Sequence, residues 1–100
     1  MRIIYNTSFI VHEKAENQWI EFMQATYVPA VRESGLCRDI IFTKVSIDQP
    51  EGKTYSLQLV FDTQSRQEDF LNTCLPALED KLISLYANQY FCFSSILTEI

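Results

Sequence analysis

The chain has 100 residues and a net charge of −5, and 47% of its residues are hydrophobic. This size predicts one domain over residues 1–100 that can bury a core without disulfides, and the composition excludes intrinsic disorder. The eight Lys and Arg residues are scattered along the chain, so we expect no nucleic-acid partner, since such a surface needs clustered positive charge.

The first half predicts a strand, a helix and a second strand. The first strand covers about residues 2–11, and both of its faces carry apolar side chains, which is typical of an interior strand. A helix follows from about Glu13 to Glu33. Its predicted apolar stripe is Ala15, Trp19, Phe22, Met23, Thr26 and Ala30, widened by Ile20, Tyr27 and Val31. Pro29 predicts a bend near the end of this helix, because it cannot donate to the Ala25 carbonyl.

The second half repeats this order after a second strand at about Cys37–Ile47. A turn is predicted at Asp48–Gly52, and a strand at about Lys53–Phe61. The next helix is predicted to open near Ser65, with Glu68 three residues on as its capping partner. A last strand runs from about Tyr90 to Ile100.

A short phrase occurs in both predicted helices. Thr26-Tyr27-Val28-Pro29-Ala30-Val31 returns as Thr73-Cys74-Leu75-Pro76-Ala77-Leu78, offset by 73 − 26 = 47 residues. Thr, Pro and Ala recur, and Val28 and Val31 correspond to Leu75 and Leu78, which are also branched aliphatic residues. The repeat indicates two βαβ halves. Right-handed crossovers then predict a ferredoxin-like α+β fold, βαββαβ, with four antiparallel strands and both helices on one face of the sheet.

The face of the sheet without helices is predicted to mix apolar and polar residues. Strand one contributes Ile4, Asn6, Ser8 and Ile10, strand three contributes Ser56, Gln58 and Val60, and strand two is expected to contribute Ile40 and Phe42. Such a face would leave a sizeable apolar patch on a monomer. Two sheets packed face to face would bury it, so we predict a homodimer in the form of an α+β barrel.

Four polar residues on this face are the candidate ligand-binding site: Asn6, Ser8, Ser56 and Gln58. Their amides and hydroxyls could orient a small, mainly apolar ligand, or they could pair with one another across a dimer interface. No catalytic residue is identified, and we expect neither a metal ion nor a cofactor. The sequence contains no phosphate loop, dinucleotide fingerprint or zinc-helix motif.

The remaining reactive side chains have simpler structural interpretations. His12 is the only histidine. It could act as a general base or metal ligand, but its position before the first helix favours a residue at the helix start. Cys74 and Trp19 are expected in the core rather than at a reaction centre. Cys37, Cys74 and Cys92 form no close-spaced pair, which favours free thiols.

We predict a soluble cytoplasmic protein. The first residues lack the apolar core of a signal peptide, and no stretch approaches the length of a membrane span.

Several phrases resemble a bacterial family known as domain of unknown function 4286. They are Ile3-Ile4-Tyr5-Asn6, Trp19, Pro29-x-Val31, Tyr55-Ser56-x-Gln58, Pro76-Ala77-Leu78, and the closing Phe93 and Leu97. The resemblance covers nearly the whole chain and implies a dimeric α+β barrel without an established activity. The family pattern places a histidine two residues before each helix proline, where this chain has Tyr27 and Cys74.

These observations predict a homodimeric α+β-barrel module that has a small-molecule-binding cavity and no demonstrable catalytic motif. A cofactor-independent enzyme, similar to a monooxygenase or an isomerase, is the alternative. A third possibility is a regulatory subunit that docks on another protein through an open sheet edge.

Overall fold

The polypeptide forms four strands and two helical arms within the residues that the structure, a computed structural model, describes: 1–46, 50 and 52–100. The strands are β1 (Ile3–Val11), β2 (Asp39–Lys44), β3 (Lys53–Phe61) and β4 (Tyr90–Thr98). The first helical arm, residues 13–33, consists of a 3₁₀ turn (Glu13–Ala15), α1 (Glu16–Phe22), a π-helical segment (Met23–Tyr27) and α2 (Val28–Glu33). The second helical arm, residues 64–86, consists of α3 (Gln64–Thr73) and α4 (Leu75–Tyr86).

All strand pairs are antiparallel, in the order β2-β3-β1-β4. The two strands that open the βαβ halves, β1 and β3, lie side by side in the centre. The two that close the halves, β2 and β4, lie at the edges. This is the ferredoxin-like α+β fold, as the sequence predicts.

The core lies between one face of the sheet and both helical arms. Trp19 of α1 is fully buried, and its ring centroid lies 5.2 Å from Phe9, 5.0 Å from Tyr55 and 5.8 Å from Phe42. Phe61 and Phe70 form a second ring contact at 5.6 Å, where α3 covers β3. Burial of these large rings supplies much of the hydrophobic free energy that holds the arms on this face.

The π-helical segment places the first arm's buried residues at a spacing of four. Ala15, Trp19, Met23, Tyr27 and Val31 are all buried. In a regular α-helix each step of four residues turns about 40° past a full circle, so this row would drift away from the sheet. The wider π turn, in which the Val28 amide donates to the Met23 carbonyl, takes up that drift.

The second arm begins two residues earlier than the sequence predicts. Thr63, not Ser65, is the N-cap, and its hydroxyl accepts from the Arg66 amide at 3.2 Å. The predicted Ser65–Glu68 capping pair is therefore wrong, and Glu68 instead accepts from the Gln64 side chain at 3.0 Å. Thr63 has the extended backbone that a cap requires, with φ −137° and ψ 156°.

The two prolines have different consequences. In the first arm Pro29 follows the π-helical segment, and the helical course continues to Glu33. In the second arm Pro76 lies in the first turn of α4, after a break at Cys74. Proline is tolerated in a first turn because its missing amide has no helical partner there.

The predicted register of β2 is wrong. Ile40 and Phe42 pair with Leu59 and Leu57, and all four side chains belong to the core side of the sheet. The alternation of side chains then places Ile41 and Thr43 on the open face. Ile40, Ile41 and Phe42 are all apolar, so hydrophobicity alone could not fix which face each one takes.

Two edge strands are shorter than predicted. β2 ends at Lys44 and β4 ends at Thr98. The predicted turn at Asp48–Gly52 lies largely outside the described residues, since 47–49 and 51 are among those not described. Gly52 is described and adopts φ +152°.

Candidate ligand-binding sites

The structure brings the four predicted site residues together on the open sheet face. Asn6 pairs with Gln58 and Ser8 pairs with Ser56 in adjacent positions of β1 and β3. The Ser56 hydroxyl donates to Asn6 Oδ1 at 3.3 Å. All four residues are half-buried. Geometry thus confirms that they form a cluster, and their role in binding stays a prediction.

Apolar side chains surround this polar cluster. Phe91, Phe93 and Leu97 of β4 are 50%, 62% and 43% exposed, and Ile41 of β2 is 40% exposed. Phe93 lies beside Ser8 in the register, and Leu97 lies beside Ile4. We call this surface the open-face patch. It contains four of the five large apolar strand residues that are exposed, the fifth being Ile96, and it has a polar centre.

A cavity of about 90 Å³ lies on the opposite side of the sheet, beneath the helical arms. Its floor is the inner face of the two neighbouring strands β1 and β4, and its roof is formed by Tyr27 of the π-helical segment and by α4. The lining residues are Tyr5, Thr7, Phe9, Tyr27, Leu75, Glu79, Leu82, Tyr90, Cys92 and Ser94. Cys92 and Ser94 are exposed, so the cavity opens beside β4.

Three tyrosine hydroxyls are among the polar groups of the cavity. Tyr27, carried by the π-helical segment, is 3% exposed, and Tyr5 and Tyr90 are half-buried. Burial raises the pKa of Tyr27 well above its ordinary value, and the nearby Tyr5 and Glu79 raise it further. The phenol is therefore a neutral hydrogen-bond donor at physiological pH.

A pair of small hydroxyl residues forms part of the floor. Thr7 Oγ1 and Ser94 Oγ lie 2.8 Å apart, within hydrogen-bond distance. Neither side chain is large enough to fill the space below Tyr27. The small volume of this pair is one reason that the cavity exists.

Glu79 is the only acidic residue in the described lining, and the lining includes no Lys, Arg or His. Burial raises the pKa of the Cys92 thiol, and Glu79 adds to the rise. Burial also raises the pKa of Tyr90, with Cys92 and Glu79 as smaller causes. Glu79 thus sets a negative potential at a mouth whose other groups are neutral.

The other candidate groups have structural roles. His12 is the N-cap of the 3₁₀ turn, and its Nδ1 accepts from the Lys14 amide at 3.2 Å. The three cysteines are free. Burial raises the pKa of the half-buried Cys37 to about 12, with Cys74 as a smaller cause. Over the part of the chain that the structure describes, no cluster of three or more metal-ligating side chains occurs.

Sequence reasoning missed the cavity residues because their pattern resembles that of a core. Tyr5, Thr7 and Phe9 alternate along β1 as buried residues do, and Tyr27 lies on the apolar stripe. One signal could have identified them. Ser94 faces the helical arms from β4, so a small polar residue stands where a core strand requires a large apolar one.

Sheet topology and cavity together define a class of protein: ferredoxin-like α+β domains with a pocket between sheet and helices. Residues 2–100 match the model of one family, described as domain of unknown function (DUF4286), and the chain belongs to that family. No protein with a curated description matches the chain. Among the described residues, none of the helices has the length and apolar character needed to cross a membrane.

Solved structures of low sequence identity share this fold. An ethyl tert-butyl ether (ethd) family protein from Bacillus halodurans has a TM-score of 0.71 at 15% identity, over 98% of this chain and 99% of that one. A dimeric ferredoxin-like protein from an uncultured marine organism has a TM-score of 0.68 at 14% identity, and the match covers 99% of this chain and 97% of that one. SnoaB, a cofactor-independent oxygenase from Streptomyces nogalater, has a TM-score of 0.64 at 11% identity, and the match covers 99% of this chain and 93% of that one.

Proposed function

We propose that the protein is a homodimeric binding module for a small molecule, with the ligand held in the cavity beneath the helical arms. The observation that carries this proposal is the exposure of β4. Every residue from Phe91 to Thr98 is exposed, although the strand is largely apolar. The outer side of β4 carries the open-face patch, and its inner side forms part of the floor of the cavity.

A second copy of the chain is the best occupant of the open-face patch. The apolar residues lie around a cluster of hydroxyl and amide groups that can donate and accept, so the surface can pair with itself about a two-fold axis. A fold neighbour is described as dimeric, which agrees with this arrangement. The Asn6–Gln58 cluster would then lie at the interface.

Sedimentation at micromolar concentration tests the dimer. We expect a species of 2 × 11.7 = 23.4 kDa. Phe93→Lys should weaken dimerisation by about thirtyfold or more, because a buried aromatic residue at an interface is typically a strong contributor. Ile83→Lys is the matched control, since Ile83 is 55% exposed on α4, away from the sheet. A species of 11.7 kDa alone would refute the dimer.

The Asn6→Ala and Gln58→Ala double variant separates two roles of the polar cluster. Loss of the dimer with ligand binding retained places the cluster at the interface. Loss of ligand binding with the dimer intact would instead support the ligand-binding role that the sequence predicts for Asn6, Ser8, Ser56 and Gln58. The same samples report both quantities, by sedimentation and by titration with a ligand.

A small cofactor-independent enzyme is the alternative function. Glu79 supports it, because a carboxylate at the mouth of a cavity lined with phenols can act as a general base. Turnover of a bound molecule that disappears in Glu79→Gln would favour this alternative. Binding without turnover favours the module.

A cytoplasmic location also stays a prediction, with three free thiols as its support.

A further inference from the structure

The lining of the cavity combines aromatic rings with one carboxylate. Tyr5, Phe9, Tyr27 and Tyr90 contribute the rings, and Glu79 stands at the mouth. Phe9 and Tyr90 lie close enough to share one wall, with ring centroids 6.2 Å apart. Aromatic rings around a cavity attract cations through their quadrupole, and a carboxylate adds to that attraction.

The charge of Glu79 is not balanced by a salt bridge. Among the residues that the structure describes, no basic group lies within salt-bridge distance of its carboxylate, although four other salt bridges occur. An anionic ligand would meet this charge without compensation. A cation would be attracted both by the carboxylate and by the aromatic rings.

The cavity admits only a small molecule. Its volume of about 90 Å³ is well below the few hundred Å³ typical of sites for drug-sized ligands. A compact group of a few non-hydrogen atoms fits, and a longer substituent can leave through the opening beside Cys92 and Ser94.

From these observations we infer that the cavity recognises a small organic ammonium ion, of which methylated ammonium groups are the best fit. The inference rests on the proposed function, in which the cavity is the ligand site, and it adds the chemical class of the ligand. Methyl groups contact the rings, the positive charge faces Glu79, and the neutral hydroxyl of Tyr27 does not oppose it.

Titration with tetramethylammonium chloride, followed by backbone amide NMR shifts, tests the inference. The neutral molecule tert-butanol, of similar size and shape, is the comparison ligand. We expect saturable shifts in β4 and α4 with a dissociation constant on the order of millimolar for the cation. We expect binding of tert-butanol to be weaker by about fivefold or more.

Four variants separate the contribution of the charge from that of the aromatic ring. Glu79→Gln should weaken tetramethylammonium binding by about fivefold and leave tert-butanol binding unchanged. Asp80→Asn is the matched control, because it makes the same charge change one residue away, on a surface hollow between the two arms. Tyr90→Phe keeps the ring and should leave the affinity for tetramethylammonium unchanged. Tyr90→Leu removes the ring and should weaken the binding of tetramethylammonium.

The outcomes distinguish this inference from the proposed function. Equal affinity for the two ligands in β4 and α4, or cation binding that Glu79→Gln does not change, would overturn the ammonium class while the cavity stays a binding site. If neither ligand shifts residues of β4 and α4, the cavity is not a site for small molecules of this size and both proposals fail.

Discussion

At the scale of single residues, Gly52 is held by a close approach of the backbone. It adopts φ +152°, and an added Cβ would overlap the carbonyl oxygen of Val11. Gly35 also has a positive φ, +70°, but an added Cβ would meet nothing within 4 Å. The two glycines therefore separate backbone strain alone from strain combined with a steric clash.

We expect Gly52→Ala to lower the free energy of unfolding by about 3 kcal/mol, since strain and clash add. Gly35→Ala should lower it by about 1 kcal/mol, from strain alone. Urea unfolding monitored by circular dichroism measures both. Equal losses in the two variants would contradict the role assigned to the Val11 carbonyl.

Thiol reactivity reports the field of Glu79 without any ligand. Glu79 contributes to the raised pKa of Cys92, after burial as the larger cause. In Glu79→Gln that pKa falls, so the thiolate fraction at pH 8 rises and alkylation of Cys92 by iodoacetamide should accelerate by about twofold. Cys37, whose pKa is about 12, is the internal control and should stay slow. An unchanged Cys92 rate, read by mass spectrometry, would argue against this contribution.

At the scale of elements, the start of α3 depends on one hydroxyl. Thr63→Ala should cost about 1 kcal/mol of stability, because the Arg66 amide loses its acceptor. Thr73→Ala is the matched comparison at the other end of α3. The Thr73 hydroxyl donates to the Asp69 carbonyl within the helix, and its loss should change stability by less than about 0.5 kcal/mol. Thermal unfolding compares the two, and a larger loss for Thr73 would reverse the interpretation.

The order and type of the elements could be predicted from the sequence, but three local features could not. Clean alternation fixes β3 at Lys53–Phe61, whereas the run Ile40-Ile41-Phe42 leaves the face of each side chain open. The sequence places a disturbance near Pro29 but not its form, because a kink and a π turn both relieve a missing amide. Ser65 and Thr63 are both chemically suited to cap α3, and the spacing to Glu68 favours the wrong one.

The candidate sites divide in the same way. Alternation predicts that Asn6, Ser8, Ser56 and Gln58 share one face, since period two is fixed by the strand itself. The size of the cavity could not be predicted beyond the signal of the small residue Ser94, because it depends on how far Tyr27 and α4 stand above β1 and β4. Such a gap is a property of three-dimensional packing, and sequence periodicity carries no information on it.

At the scale of the whole molecule, assembly should be visible in thermal stability. If two copies bury the open-face patch, the unfolding temperature rises with protein concentration, because association stabilises only the folded chain. We expect a rise of a few degrees for each tenfold increase in concentration. In Phe93→Lys the unfolding temperature should be lower than in the wild type at the same protein concentration. Differential scanning calorimetry measures both, and a wild-type midpoint that does not move would contradict the dimer.

One row of side chains crosses all four strands: Phe42, Leu57, Thr7 and Ser94. Leu57 and Thr7 lie opposite each other on the two central strands, with Phe42 beside Leu57 on one edge strand and Ser94 beside Thr7 on the other. On β2 and β3, the large apolar side chains of Phe42 and Leu57 fill the space under the arms. On β1 and β4, the small hydroxyl side chains of Thr7 and Ser94 leave a cavity there. The combined change Thr7→Leu and Ser94→Phe would place the same two kinds of side chain on β1 and β4. We expect that chain to melt at a higher temperature and to lose ligand binding. The hollow beside Thr7 and Ser94 would then be a space that the chain keeps open at the expense of stability.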